Sequence, residues 1–124
     1  MQTTLESSIT FSGVGLHSGR FVSLSVKPAH KNHGILFKRK DIDIGNPIVR
    51  ARWDYVSETT LCTRVRNEDG TVVSTIEHLM AALAGCGVSN ALIELDGEEV
   101  PILDGSAAPF VRGILEAGLK IINS

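Results

Sequence analysis

Nothing in this sequence runs to excess, and its shortages exclude several classes of protein. There are two cysteines, Cys62 and Cys86. They are not spaced as C-x-x-C, and two alone make no disulfide framework, so the chain reads as one from a reducing compartment. No apolar run approaches the ~20 residues that span a bilayer. The opening MQTTLESSITF lacks the basic start and apolar stretch of a secretory signal. Twelve Lys and Arg face fourteen Asp and Glu, for a formal net charge of −2. A nucleic-acid binder normally carries a basic face, and the densest basic run here is only Lys38, Arg39 and Lys40, which reads as a solvated strand end. Internal repeats, linkers and low-complexity segments are also missing. These absences predict a cytoplasmic protein with no transmembrane segment and no nucleic-acid partner.

What is present suits one domain. The chain has 124 residues, 43% hydrophobic and 21% charged, enough for a real core with little room for a second. Twelve glycines point to many tight turns. Thr3 to Thr10 can form a strand that ends at the glycine-rich turn Gly13 to Gly19. From Phe21 to Val26, Val22, Leu24 and Val26 alternate with Ser23 and Ser25, the pattern of a half-buried strand. PAHKNHG reads as a turn, with Gly34 to Lys40 returning as the second strand of a hairpin. Short strands are expected at Ile48 to Arg52, Thr60 to Val65 and Thr71 to Val73. A helix follows over about Thr75 to Ala84, then a buried strand over Asn90 to Leu95, with Val100 to Leu103 pairing nearby.

A second helix is expected over Ala107 to Ala117, capped by Ser106 and stopped by Gly118, with Pro109 tolerated in its first turn. Its buried stripe is Phe110, Val111, Ile114 and Leu115. Leu119 to Ile122 begins another strand. Antiparallel strands followed by helix, strand and helix predict an α+β domain: a two-layer sandwich, mainly antiparallel, with two helices packed on one face of the sheet.

The stretch STIEHLMAALAG, Ser74 to Gly85, holds the only Glu-His pair. As a helix it would bury Ile76, Leu79, Met80 and Leu83 and turn Glu77 and His78 elsewhere. Ser74 to Glu77 matches S-x-x-E before an apolar run, the signature of a capping box, and on pattern alone capping outweighs catalysis for Glu77. His78 lies nearly opposite the apolar stripe, beside Thr75, Ala81 and Ala82, with no charged neighbour. A solvated helix face normally carries charge, so this face suits close approach by another domain or a substrate. A zinc hydrolase needs imidazole or carboxylate ligands, an open position and a carboxylate to take a water proton. Glu77 and His78 would provide one ligand and one base. No second histidine makes H-E-x-x-H, and His30 and His33, though spaced H-x-x-H, sit in an expected hairpin loop.

Several stretches in order, GVGLHSG at 13–19, LCT at 61–63, STIEHLMAALAGCGVSNALIEL at 74–95 and VPILDGSAAPFV at 100–111, resemble the UDP-3-O-acyl-N-acetylglucosamine deacetylases. These are zinc amidases of lipid A synthesis in Gram-negative bacteria. The resemblance covers essentially the whole chain. It implies a two-domain enzyme with its active site between two α+β domains, of which residues 1–124 match the N-terminal one. It further implies that His78 is a Zn²⁺ ligand and Glu77 the general base. Leu61 and Cys62 would line the site, with His17 and Asp104 near it. The remaining zinc ligands, a histidine and an aspartate, together with an assisting histidine and lysine, would belong to the second domain. The 124 residues alone are therefore expected to be inactive, to hold an incomplete zinc site, and to self-associate through the face left uncovered. The substrate implied is a UDP-linked acylated glucosamine. The alternative is a non-catalytic scaffold or binding module of the same fold.

Overall fold

Alternation builds the first strands. The computed structural model, which describes residues 1–51, 56–58 and 63–122, begins with β1 (Gln2–Leu5), β2 (Ile9–Val14) and β3 (Phe21–Pro28). In β3, Val22, Leu24 and Val26 are buried. Ser23 and Ser25 take the other face, where their hydroxyls meet those of Ser12 at 3.0 Å and Thr10 at 2.9 Å on β2. The chain continues through β4 (Ile35–Arg39), β5 (Ile48–Arg50), β6 (Val56–Glu58), β7 (Thr63–Arg66) and β8 (Val72–Ser74). Then come α1 (Glu77–Gly85), β9 (Ala91–Leu95), α2 (Ala108–Ala117) and β10 (Leu119–Ile122).

Among the described residues these strands form three sheets. The largest runs in the order β2-β3-β9-β4-β5, a second in the order β6-β7-β8, and β1 pairs with β10. All pairings are antiparallel except β4 with β9. The expected α+β class, mainly antiparallel with two helices, is the one observed.

Two expectations about pairing are corrected. The strand foreseen over Thr3 to Thr10 is two strands, broken at Glu6, whose amide donates to the Gly118 carbonyl at 2.9 Å. The break sends β1 to β10 and β2 to β3. The hairpin foreseen between β3 and β4 does not form, because β9 lies between them. Side chains hold the intervening loop open: Ala29 donates its amide to Thr4 Oγ1 at 2.9 Å, Asn32 to Gln2 Oε1 at 2.7 Å, and Gly34 to Asn90 Oδ1 at 2.8 Å. The loop keeps a tight turn, with the His33 amide donating to the His30 carbonyl at 3.2 Å and Asn32 at φ of 66°, but its ties to β1 and Asn90 leave a strand-wide gap between β3 and β4. The stretch Val100 to Leu103 forms no named strand but does pair nearby as expected: the amide of Val100 donates to the Ser74 carbonyl at 3.1 Å and that of Ile102 to the Val14 carbonyl at 2.9 Å.

The core lies between the large sheet and the helices. Leu24, Val26, Phe37 and Ile93 from the sheet are fully buried with Leu79 and Leu83 of α1 and Phe110 and Ile114 of α2. Each such side chain contributes roughly 1.5–3 kcal/mol by leaving water. The stripe of α2 differs from expectation in Leu115, which is 57% exposed; Gly113 and Ala117 are buried instead. Ala107, not Ser106, is the N-cap of α2, and the Ser106 hydroxyl accepts from the Ala108 amide at 3.2 Å. Gly118, with φ of 87°, ends the helix as expected. No helix among the described residues is long and apolar enough to cross a membrane.

Candidate active site

The entry to α1 is shaped by tertiary bonds and not by a capping box. Ser74 donates its amide to the Glu98 carbonyl at 2.8 Å and accepts from the Val100 amide at 3.1 Å. The amide that Glu77 would have reached is therefore already taken. Thr75 follows with φ of 59°, a left-handed conformation in which a β-branched residue is a true outlier costing on the order of 1–3 kcal/mol. Ile76, whose amide donates to the Thr63 carbonyl at 3.2 Å, is the N-cap, and no side chain caps the helix. The sequence signature S-x-x-E is present but the motif is not formed.

Glu77 is thus released from the structural task that its spacing suggested. Its Oε1 is buried and has no hydrogen-bond partner among the described residues. An unsatisfied buried acceptor costs about 1–3 kcal/mol, and more when charged. A cost of that size calls for a reason at the site.

His78 is next to it and half-buried, and makes no hydrogen bond to the described residues. The expected Ala-rich outer face is narrower than foreseen. Ala81 is exposed, but Ala82 packs into the core and Thr75 is buried. The reason is that α1 starts later than Thr75, so that residue belongs to the entry turn.

His17 stands in the glycine-rich turn, closed by the Gly15 amide on the Arg20 carbonyl at 2.9 Å and the Gly19 amide on the Gly15 carbonyl at 3.0 Å. This turn is tied to the entry of α1 by a residue that sequence reasoning missed, Glu99. The Glu99 carboxylate is 5% exposed and accepts from the Thr75 hydroxyl at 2.5 Å, the Ser18 amide at 2.8 Å and the His17 amide at 3.1 Å. Burial alone would push this carboxyl up. The Thr75 hydroxyl, the amides of Ser18 and His17 and the Ser18 hydroxyl outweigh burial and hold it below the ordinary glutamate value. The only signal in the sequence was a second glutamate placed directly before the apolar Val100-Pro101-Ile102.

Asp104 is exposed and occupied locally. Its Oδ1 accepts from the Ser106 hydroxyl at 2.7 Å and the Ser106 amide at 2.9 Å, and these two bonds, the hydroxyl first, hold its pKa below the usual range. Leu61 and Cys62 lie outside the described residues. His30 and His33 meet edge to face with ring centroids 5.2 Å apart, each Nδ1 bound to the next residue's carbonyl.

The structure therefore brings together Glu77 and His78 at the helix start and joins the His17 turn to them through Glu99 and Thr75. Asp104 stays in its own turn. An open cleft of about 690 Å³ is lined by Glu99 together with His17, Arg20, Arg39, Arg64 and Asp96 among others, and by neither Glu77 nor His78. Among the described residues, no three histidine, cysteine or carboxylate side chains cluster closely enough to hold a metal ion. An imidazole beside a carboxylate with one such free oxygen can ligate a metal at one position and take a proton at another.

Comparison with known proteins gives a consistent result. The family model described as UDP-3-O-acyl N-acetylglycosamine deacetylase (LpxC) matches residues 2–124. Curated proteins named UDP-3-O-acyl-N-acetylglucosamine deacetylase are similar over nearly the whole chain. That of Idiomarina loihiensis is 50% identical across 96% of this chain and 39% of its own length. That of Geotalea uraniireducens is 50% identical across 98% of this chain and 39% of its own. The relative from Vibrio cholerae El Tor is 48% identical, with 99% and 40% covered. The chain spans about two fifths of the length of these relatives.

Proposed function

The chain belongs to the UDP-3-O-acyl N-acetylglycosamine deacetylase family, and we propose that it is the N-terminal domain of such an enzyme, supplying the general base and one zinc ligand. The substrate is a UDP-linked glucosamine carrying an O-acyl chain, and the reaction removes its N-acetyl group in a cytoplasmic step of lipid A synthesis. The observation that carries this reading is that the buried Oε1 of Glu77, beside His78, has no partner among the described residues.

The residues present fit zinc in part. Imidazole is one of its common ligands, and a carboxylate oxygen without a donor is suited to receive a proton from water. Catalytic zinc usually takes three protein ligands, so two more come from the remaining part of a longer protein. When bound, zinc would supply Lewis-acid activation of water and of the acetamide carbonyl. Glu77 takes the proton of the attacking water at Oε1 and holds it in a site shielded from bulk solvent. Water adds to the acetamide carbon, the proton taken from it passes to the glucosamine nitrogen, and the C–N bond breaks to leave acetate and the free amine. Alone, the 124 residues hold too few ligands and too few catalytic groups to act. Their uncovered Ala81 face is then the surface on which the second domain packs, and on which isolated copies meet.

Glu77→Gln in the full-length protein tests the assignment. Gln is nearly isosteric and also serves at the third position of a capping box. If Glu77 is the base, folding and zinc content hold while deacetylation falls about 10²–10⁴-fold, the scale of general-base loss. A zinc-loaded variant with near wild-type turnover refutes the base assignment of Glu77.

A further inference from the structure

We infer that Glu99 is a positioning residue of this site, a carboxylate that locks the His17 turn to the strained Thr75 and so fixes the helix start carrying Glu77 and His78. The inference deepens the reading of Glu77 and His78 just given and rests on it.

The geometry has three parts. First, the donors that Glu99 gathers come from two distant segments: the amides of His17 and Ser18 on one side, the hydroxyl of Thr75 on the other. A carboxylate presents two oxygens and about four acceptor positions, and here both oxygens are used, Oε1 toward Ser18 and His17, Oε2 toward Thr75 and His17. Second, Thr75 lies two residues before Glu77 and holds a left-handed φ of 59°. Such a conformation persists only where its surroundings over-determine it. The Glu99 bond and the two backbone bonds of Ser74 are what over-determine it. Third, the turn is built around the carboxylate. A Cβ at Gly15 would collide with Glu99 Oε1 and Cδ, so only glycine lets the turn close over it.

Loss of the tie would let Thr75 relax toward ordinary backbone angles. The first residues of α1 would then rotate, and with them the Glu77 carboxylate and the His78 imidazole. Displacements of about 1 Å at reacting groups can cost on the order of 10²-fold in rate. Glu99 itself touches neither Glu77 nor His78 through any hydrogen bond, so its influence on them runs through Thr75.

The test uses the full-length enzyme with Glu99→Ala, Glu99→Gln and Thr75→Val, beside Glu77→Gln. Glutamine can keep the tie, its oxygen accepting from the amides and its NH₂ donating to the Thr75 hydroxyl; alanine cannot. Kinetics are read well below each melting temperature and per folded molecule, so that mere destabilisation leaves kcat unchanged. Glu99→Ala is expected to lower kcat about 10–100-fold with KM within about threefold, and Glu99→Gln to recover most of the loss. Thr75→Val should reduce kcat in the same sense by a smaller factor. Adding Thr75→Val to Glu99→Ala should cost nothing further, because both break one link. Near wild-type kcat in folded Glu99→Ala, or losses that multiply in the double variant, overturns the inference. Should Glu99→Ala not fold, Thr75→Val decides alone: a fall in kcat at constant KM supports the tie, and unchanged kcat refutes it. If Glu77→Gln retains full turnover, the proposed base fails instead, whatever the Glu99 variants do.

Discussion

Phe11 on β2 and Phe110 in α2 meet edge to face, with ring centroids 4.9 Å apart and planes at 65°. The contact exists because Gly113, one helical turn from Phe110, has no side chain. A Cβ there would stand 2.5 Å from Phe11 Cζ. The helix thus lies closer to the strand than any other residue would permit.

Gly113→Ala should therefore destabilise the chain. Alanine gains roughly 0.5–1 kcal/mol over glycine within a helix, but overpacking a filled interior costs typically 1–3 kcal/mol. We expect a net loss of about 1–2 kcal/mol, seen as a lower urea midpoint with unchanged slope. A midpoint raised by the substitution would mean that Phe11 moves freely aside.

The Glu99 carboxylate makes stability depend on pH in a defined direction. Its folded pKa lies below the ordinary value of 4.5, so its contribution is complete above that value and fades as the pH falls through the lower, folded one. Urea midpoints of wild type and Glu99→Gln, compared from pH 7 downward, should differ by a constant amount to about pH 5. Below that, the wild-type advantage should shrink. A difference that grows on acidification would contradict the bonding pattern around Glu99.

Metal content distinguishes the part from the whole. Dialysed against micromolar zinc, the 124-residue chain should retain well under one equivalent, since His78 alone is a poor site. In the full-length protein His78→Ala should lose both zinc and activity, whereas Glu77→Gln should lose activity only. A tight one-to-one zinc site in the isolated segment that survives His78→Ala would show that other residues bind the metal.

Much of the architecture was legible in the sequence because local patterns decided it. The alternation of Val22 to Val26, the stripe of Leu79 and Leu83, and Gly118 after Ala117 each gave the right element. Pairing was less legible, since the partner of β4 is a strand far along the chain and the loop before it gives no sign of the gap. The site was half legible. Glu77 and His78 stood out, yet the pattern around Ser74 pointed to a cap that the Glu98 carbonyl forbids by taking the Ser74 amide. Glu99 was invisible because its amide partners belong to a turn 81 and 82 residues earlier in the chain, and no local pattern records a long-range acceptor.

The place of β9 between β3 and β4 has a consequence for the order of assembly. Strands β2 with β3, and β4 with β5, are neighbours in sequence and can zip together early, because closing short loops costs little entropy. Each pair then presents a bare edge, an open template for wrong partners. The edges are covered only when residues 91–95 arrive and bond to both sides at once. On the ribosome that moment comes after α1 has been synthesised, so the helix start bearing Glu77 and His78 is drawn into place by the same event that joins the two halves of the sheet. Contacts of such long range make folding slow, and the facing edges of β3 and β4 must stay unpaired until the central strand has emerged.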